Sequence, residues 1–135
     1  MSQNCLKYIF SILCLASGMG LSIPASAQDT SIKSGESVDI FAVYWIANCR
    51  SILKNFVGID VLEGPPGVAL SLREEPVRTS QRQNCPDSIP GATVVATAKD
   101  VTERSVSTLR FRVRYNTDDG QKQSNHSLKL FLYPQ

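Results

Sequence analysis

The chain has 135 residues, of which 42% are hydrophobic and 19% charged, and its formal net charge at pH 7 is +2. This length predicts one domain, and the near-neutral charge argues against a strongly basic nucleic-acid-binding protein. With a single histidine and no C-x-x-C motif, the chain lacks the usual spacings of a zinc site. We therefore expect no bound metal, cofactor or nucleic acid.

Residues 1–27 have the pattern of a secretory signal of the bacterial type. Lys7 supplies the only charge at the start, an apolar run covers residues 8–21, and Ala25-Ser26-Ala27 forms an A-x-A cleavage site. We predict cleavage after Ala27 and export to the periplasm or the cell exterior. An uncleaved membrane anchor is the alternative, and it is disfavoured because the run contains Ser and Gly and falls short of about 20 apolar residues.

Two cysteines remain once the signal is removed, Cys49 and Cys85. An even pair in an exported chain predicts one disulfide, formed in an oxidising compartment. The chain-entropy model assigns about 4 kcal/mol to closing a loop of this size, a large part of a small domain's stability. A reactive or metal-binding thiol pair is the alternative.

The first part of the exported chain contains one clear strand and one ambiguous segment. Residues 28–35 are polar, and we expect them to form a loose leader. Residues 36–45 are β-branched or aromatic at both odd and even positions, which indicates a strand covered on both faces. Trp45 is expected to be an anchor of the core. Residues 46–56 allow about two turns of helix or a long connection stapled by Cys49.

Alternating apolar and polar residues predict the remaining strands, which cover residues 58–62, 68–73, 93–98 and the two arms of a C-terminal hairpin over 107–133. The acidic pair before Pro76 is expected to end the strand that starts at residue 68. Residues 77–90 are polar and predict a long loop pinned by Cys85. The turn of the C-terminal hairpin falls at residues 116–120.

A two-residue period along the chain, with six or seven strands and regular turns, predicts an all-β fold. The number and spacing of the strands favour an immunoglobulin-like sandwich, formed by residues 36–134 as a single domain.

Two segments resemble parts of bacterial immunoglobulin-like modules. Gly64-Pro65-Pro66-Gly67 leads into an alternating strand and resembles a strand opening. Arg112-Val113-Arg114-Tyr115, followed by Asp119-Gly120, resembles the last two strands of such a module. In antibody-type domains the two cysteines flank the core tryptophan, whereas Trp45 precedes both cysteines here. We therefore expect the disulfide to join two loops at one end of the domain.

Three arginines share one face of the first hairpin arm. Arg110, Arg112 and Arg114 point the same way because side chains two residues apart on a strand lie about 7 Å apart on one face. Such a row suits carboxylates, phosphates or sulfated sugars, which a guanidinium binds through two hydrogen bonds. Together with Arg78 and Arg82 of the long loop, they are the candidate partner-binding residues. The alternative is a solvated face balanced by acidic residues of a neighbouring strand.

The sequence contains no catalytic motif that we can identify. His126 lies among serines and an asparagine, but no G-x-S-x-G context is present, and we expect a solvent-exposed histidine at the start of a strand. The sequence thus predicts a non-enzymatic binding or structural module of the cell envelope, whose partner is a protein or an anionic envelope polymer. The alternatives are a secreted inhibitor that presents the Cys85 loop, and a small hydrolase or redox protein that uses His126 or the cysteine pair.

Overall fold

The computed structural model describes residues 29–80 and 82–135, and in these ranges every helix or strand element is a β-strand. The strands are β1 (Asp29–Lys33), β2 (Ser37–Val43), β3 (Ile46–Ala47), β4 (Arg50–Ser51), β5 (Leu53–Glu63), β6 (Val68–Val77), β7 (Ile89–Ala98), β8 (Ser105–Thr117) and β9 (Gly120–Tyr133). The all-β class predicted from the two-residue period is confirmed. The predicted signal, residues 1–27, lies outside the described residues.

Seven of the strands belong to two larger sheets. Strands β1, β9, β8 and β5 form a four-stranded sheet in that order, and β2, β7 and β6 form a three-stranded sheet. β3 and β4 form a separate short hairpin. β1 runs parallel to β9, and the other paired strands are antiparallel. Across the described part of the chain, no helix is long and apolar enough to cross a membrane.

The core lies between the inward faces of the two larger sheets. Phe111 and Leu130 from the four-stranded sheet and Val94 and Ala96 from the three-stranded sheet are each 0% exposed. The rings of Phe41 and Phe111 meet edge to face across the two sheets, with their centroids 6.3 Å apart. Along β8 every second residue from position 109 to 117 is buried, so the predicted alternation of this strand is confirmed.

One segment near the start of the domain differs from expectation, and for a second the structure decides between two alternatives, a helix and a connection stapled by Cys49. Residues 29–33, expected to lie in a loose leader, form β1, because their backbone pairs with β9 and Ile32 is fully buried. The segment 46–56 contains no helix. It forms the β3–β4 hairpin and the start of β5, and the turn residues Asn48 and Cys49 have positive φ of 52° and 59°. Two consecutive residues with positive φ match the right-handed twist of a tight hairpin.

The acidic pair and Pro76 do not end the strand as expected, because β6 continues to Val77. β6 is an edge strand, where a proline is tolerated because the backbone N–H it lacks is not needed on the free side. The described residues thus form nine strands rather than six or seven, and the additional ones are β1, β3 and β4.

Three connections between strands meet at one end of the two larger sheets. They are residues 44–52 between β2 and β5, residues 78–88 between β6 and β7, and the two-residue turn 118–119 between β8 and β9. The strand registers place them together, because the pairs Val43 with Ala92, Val77 with Ile89 and Leu53 with Thr117 all lie at this end. We call these three connections the loop end, and residues 78–88 the long loop.

Candidate binding surface at the loop end

The disulfide joins two of the three connections of the loop end. Cys49 lies in the β3–β4 turn and Cys85 in the long loop, with their Sγ atoms 2.08 Å apart and their Cα atoms 5.5 Å apart. The predicted pairing is confirmed, and so is its position between two loops at one end of the domain. The bridge fixes the long loop beside the β3–β4 hairpin.

The hydroxyl of Tyr44 holds the long loop at a second point. It accepts a hydrogen bond from the backbone N–H of Ser80 at 2.8 Å and donates one to Oε1 of Gln83 at 2.6 Å. Inside the loop, the N–H of Gln83 donates to the carbonyl of Ser80 at 3.1 Å, and the N–H of Cys85 donates to Oγ1 of Thr79 at 3.3 Å. These contacts hold the loop at its turn and at its cysteine, which lowers the entropy that it would lose when a partner binds.

The side chain of Trp45 lies between the loop end and the core. Its ring stacks on Tyr115, with centroids 3.5 Å apart and planes 16° apart, and it lies 5.9 Å from the ring of Phe56. Burial raises the pKa of the Tyr115 hydroxyl. Trp45 packs against the buried core, which confirms its predicted role as an anchor.

The long loop encloses a polar cavity of about 520 Å³. Arg78 and Asp87 are its charged lining residues, and hydroxyl and amide side chains form most of the remaining wall. Arg82 lies in the turn of the same loop, and Arg50 directly follows Cys49 in the neighbouring hairpin. Among the described residues, none of these three arginines is in an ion pair. The loop end therefore carries three arginines outside ion pairs with the described residues, together with three aspartates, Asp87, Asp118 and Asp119.

The stripe of Arg110, Arg112 and Arg114 lies on the outer face of β8, where it meets acidic side chains of β5. Arg114 donates to both carboxylate oxygens of Asp60, at 2.8 Å and 3.3 Å. Nε of Arg112 lies 3.5 Å from the same carboxylate, and Nη1 of Arg110 lies 3.6 Å from Glu63. Three guanidiniums thus face two carboxylates of the neighbouring strand, which balance the charge of the stripe in part. Its docking role stays a prediction.

The geometry of the stripe predicts unequal contributions to stability. We expect Arg114→Ala to lower the free energy of unfolding by about 1 kcal/mol and Arg110→Ala by less than about 0.5 kcal/mol. The reason is that Arg114 is 34% exposed and makes two hydrogen bonds, whereas Arg110 is 54% exposed and only approaches its partner. Urea denaturation of the two variants measures the difference, and equal losses would contradict it.

His126 has surroundings that differ from expectation. It lies within β9 rather than at its start, and its ring packs 4.6 Å from the ring of Phe41 and 5.2 Å from that of Phe111. Nε2 of His126 lies 2.8 Å from Oγ of Ser124. The expected exposure to solvent is wrong, because His126 has the same parity as Leu128 and faces inward.

The Ser124–His126 contact supplies only part of a catalytic arrangement. A serine nucleophile needs a base that a third group orients, together with donors for the oxyanion. In ranges 29–80 and 82–135, the only side-chain hydrogen bond of His126 is the one with Ser124. No group of three or more His, Cys, Asp or Glu side chains that could hold a metal ion occurs in the same ranges.

The position of His126 predicts a pH-dependent stability. Burial lowers the pKa of His126 below the usual value of about 6.5. The histidine of the unfolded chain therefore binds a proton at a higher pH than that of the folded protein. As the pH drops below about 6.5, the free energy of unfolding should fall, and the fall should end once the pH is below the pKa of the folded state. Urea denaturation at about pH 7.5 and about pH 5.5 measures this loss. His126→Gln should show a smaller loss, and an undiminished one would assign the effect to another group.

Sequence reasoning missed two residues of this surface, Tyr44 and Arg50. The partners of the Tyr44 hydroxyl lie 36 and 39 positions further along the chain, and no local pattern indicates them. A signal for Arg50 was present, because it follows Cys49 and the disulfide places it beside the long loop. Comparison of the chain with models of protein families, with characterised proteins and with solved structures found no match.

Proposed function

We propose that this chain is an exported, non-enzymatic binding module of the cell envelope, and that its loop end binds acidic groups of its partner. The observation that carries the proposal is a set of three arginines, Arg50, Arg78 and Arg82, on loops that the disulfide fixes together. None of them has an ion partner among the described residues. Arginine binds carboxylates and phosphates through two hydrogen bonds, and an ordered loop loses little entropy on binding. The A-x-A site after the apolar run and the disulfide support export.

We also propose that the fold is an immunoglobulin-like sandwich. Its support is the strand order, because β2, β7 and β6 match the order B-E-D of such domains, and β9, β8 and β5 match G-F-C. β1 would then be a first strand that pairs with G. In this arrangement the B–C and F–G loops lie at the same end of the domain, and this is the end where variable domains carry their recognition loops.

The test compares two sets of three arginines that carry the same charge. One variant carries Arg50→Ser, Arg78→Ser and Arg82→Ser, and the other carries serine at the three stripe positions, Arg110, Arg112 and Arg114. Both lose three positive charges, so a difference between them reports position rather than net charge. Retention on a sulfated polysaccharide matrix, eluted with a salt gradient, is the measurement.

We expect the loop-end variant to elute at clearly lower salt than the wild type, and the stripe variant to elute close to the wild type. A larger shift for the stripe variant would move the binding surface to the outer face of β8. Unchanged retention of both variants would overturn binding of acidic groups by either surface. Circular dichroism of each variant confirms that it is folded before the columns are compared.

A second candidate function, a secreted inhibitor, is favoured by the fixation of the long loop at two points. In that case the loop would enter the active site of a target enzyme, and its fixed shape would limit the entropy lost on binding. Inhibition assays against a panel of secreted hydrolases test this function. Loss of inhibition in Arg82→Ser, with normal folding, would support it.

A further inference from the structure

Exposed apolar side chains are concentrated along β5. In the described part of the chain, five large apolar residues are exposed, and four of these lie on β5 or directly before it: Ile52 (44%), Val57 (43%), Val61 (46%) and Leu62 (42%). β5 is an edge strand of the four-stranded sheet, so the backbone groups on its outer side have no partner strand. A concentration of apolar surface on one edge marks an interaction site.

A groove of about 400 Å³ runs between β5 and β6, where the edges of the two larger sheets approach each other. Its apolar lining includes Leu53, Phe56, Pro76 and Pro90. Glu74 also lines the groove, and it is exposed and in no ion pair with the described residues. The groove therefore combines an apolar wall with the carboxylate of Glu74 and with Lys54, whose Nζ lies 3.9 Å from Asp118 outside the groove lining. We call it the edge groove.

Glu75, the second carboxylate that lines the edge groove, already has hydrogen-bond partners within the chain. Glu75 accepts hydrogen bonds from Arg73 and from Oγ1 of Thr93, and these bonds lower its pKa. Arg73 also binds Asp39 at 2.8 Å, so two carboxylates share this one arginine and Glu75 is engaged within the chain. Glu74 is thus the acid of the groove that a cation of a partner would meet.

The two edges that border the groove differ in how they are protected against added strands. β6 carries Pro76 and the inward-facing Glu74, two features with which natural edge strands prevent pairing. β5 contains no proline, and its inward-facing positions are apolar: Leu53, Phe56, Ile59 and Val61. β5 lacks both of these features, and its three bulges disfavour only a flat partner strand, so an added segment would pair with β5 rather than with β6.

The shape of β5 favours a single extended segment over a second copy of the same edge. The pairing of β5 with β8 shifts register three times, which leaves Lys54, Val57 and Leu62 as extra residues. Such bulges bend and twist a strand, so two copies of β5 would not align as flat partners. A flexible segment follows a bent edge because its own backbone adapts to it.

We propose that the edge groove binds an extended segment of another protein in which an apolar side chain lies next to a lysine or arginine. The segment pairs with the outer side of β5 and places its apolar side chain against Phe56 and Pro76. Its cation meets the carboxylate of Glu74. This site is separate from the loop end and does not depend on the anionic partner proposed there.

The experiment selects binders from a phage-displayed library of random linear peptides against the oxidised protein. The selected peptides are then titrated against four variants: Glu74→Lys, Val57→Asp, the control Val106→Asp and the loop-end variant with three serines. Val106 is a matched control because it is a valine of β8 that is 58% exposed and lies away from the edge groove.

We expect the selected peptides to share an apolar residue beside a lysine or arginine. Their affinity should fall at least about tenfold for Glu74→Lys and for Val57→Asp, and stay unchanged for Val106→Asp and the loop-end variant. A peptide in which glutamate replaces the basic residue should bind Glu74→Lys better than it binds the wild type.

Three results would overturn the proposal: no peptide is selected, the selected peptides lack a basic residue, or Val57→Asp and Glu74→Lys bind them as tightly as the wild type. A dimer in light scattering that Val57→Asp dissociates would also overturn it, because the occupant of the edge would then be a second copy. Loss of binding only in the loop-end variant would assign the peptides to the loop end instead.

Discussion

Replacing Cys49 and Cys85 together with serine is expected to lower the free energy of unfolding by about 4 kcal/mol. The two cysteines are 36 positions apart, and in the chain-entropy model a cross-link of this span restricts the unfolded chain by that amount. A natural domain has about 5–15 kcal/mol of stability in total. The double variant should therefore remain folded with a small margin, and its urea midpoint should fall with little change in slope.

Urea denaturation of the oxidised wild type beside Cys49→Ser/Cys85→Ser measures this loss, and the single variant Cys85→Ser serves as the control. The double and single variants should lose similar stability, because either removes the cross-link. A loss below about 2 kcal/mol would indicate that the bridge holds strain in the native state. The place for such strain is Cys49, a residue other than glycine with a φ of 59°.

The same variant links stability to the proposed function. Without the bridge, the long loop keeps only its contacts with Tyr44 and its internal hydrogen bonds. The loop would then be ordered only when a partner binds, and this entropy would reduce affinity. Folded Cys49→Ser/Cys85→Ser should therefore elute from the sulfated matrix at lower salt than the wild type, although it keeps all three loop-end arginines.

Local alternation made the C-terminal hairpin predictable. Between residues 109 and 115, the inward positions of β8 are large and apolar and the outward ones are arginines, so the two-residue period assigns the faces of the strand. The same period, extended back from Leu128, places His126 inward, a consequence that the polar neighbours of this histidine obscured. Its expected exposure followed from the composition of the segment, whereas its burial follows from the register.

Other features depend on distant partners and have no local signal. β1 is a polar segment with one buried side chain, Ile32, and it is a strand because β9 offers it a backbone edge. The pairing of the arginine stripe with Asp60 and Glu63 depends on β5 lying beside β8, and the sequence does not give this strand order. The sequence allows a helix as one alternative for residues 46–56, because apolar residues fall at intervals of three and four. A left-handed turn at Asn48 and Cys49 overrides that spacing.

Phe111→Ala is expected to lower the free energy of unfolding by about 4 kcal/mol. Phe111 is fully buried at the centre of the four-stranded sheet, and it meets Phe41 of the facing sheet. Removing the ring deletes buried apolar surface and leaves a cavity that two packed sheets cannot close. The matched control is Val106→Ala on the outward parity of the same strand, which should change stability by less than about 0.5 kcal/mol.

The two substitutions together test the parity of β8 and the environment of His126. Comparable losses in Phe111→Ala and Val106→Ala would contradict the assignment of inward and outward faces. Because the ring of Phe111 lies 5.2 Å from that of His126, its removal should admit water to the imidazole and reduce the desolvation that lowers its pKa. The pKa of His126, followed by NMR in folded Phe111→Ala, should therefore rise toward the usual value of about 6.5. An unchanged pKa would mean that Phe41 and the neighbouring strand alone keep water from the ring.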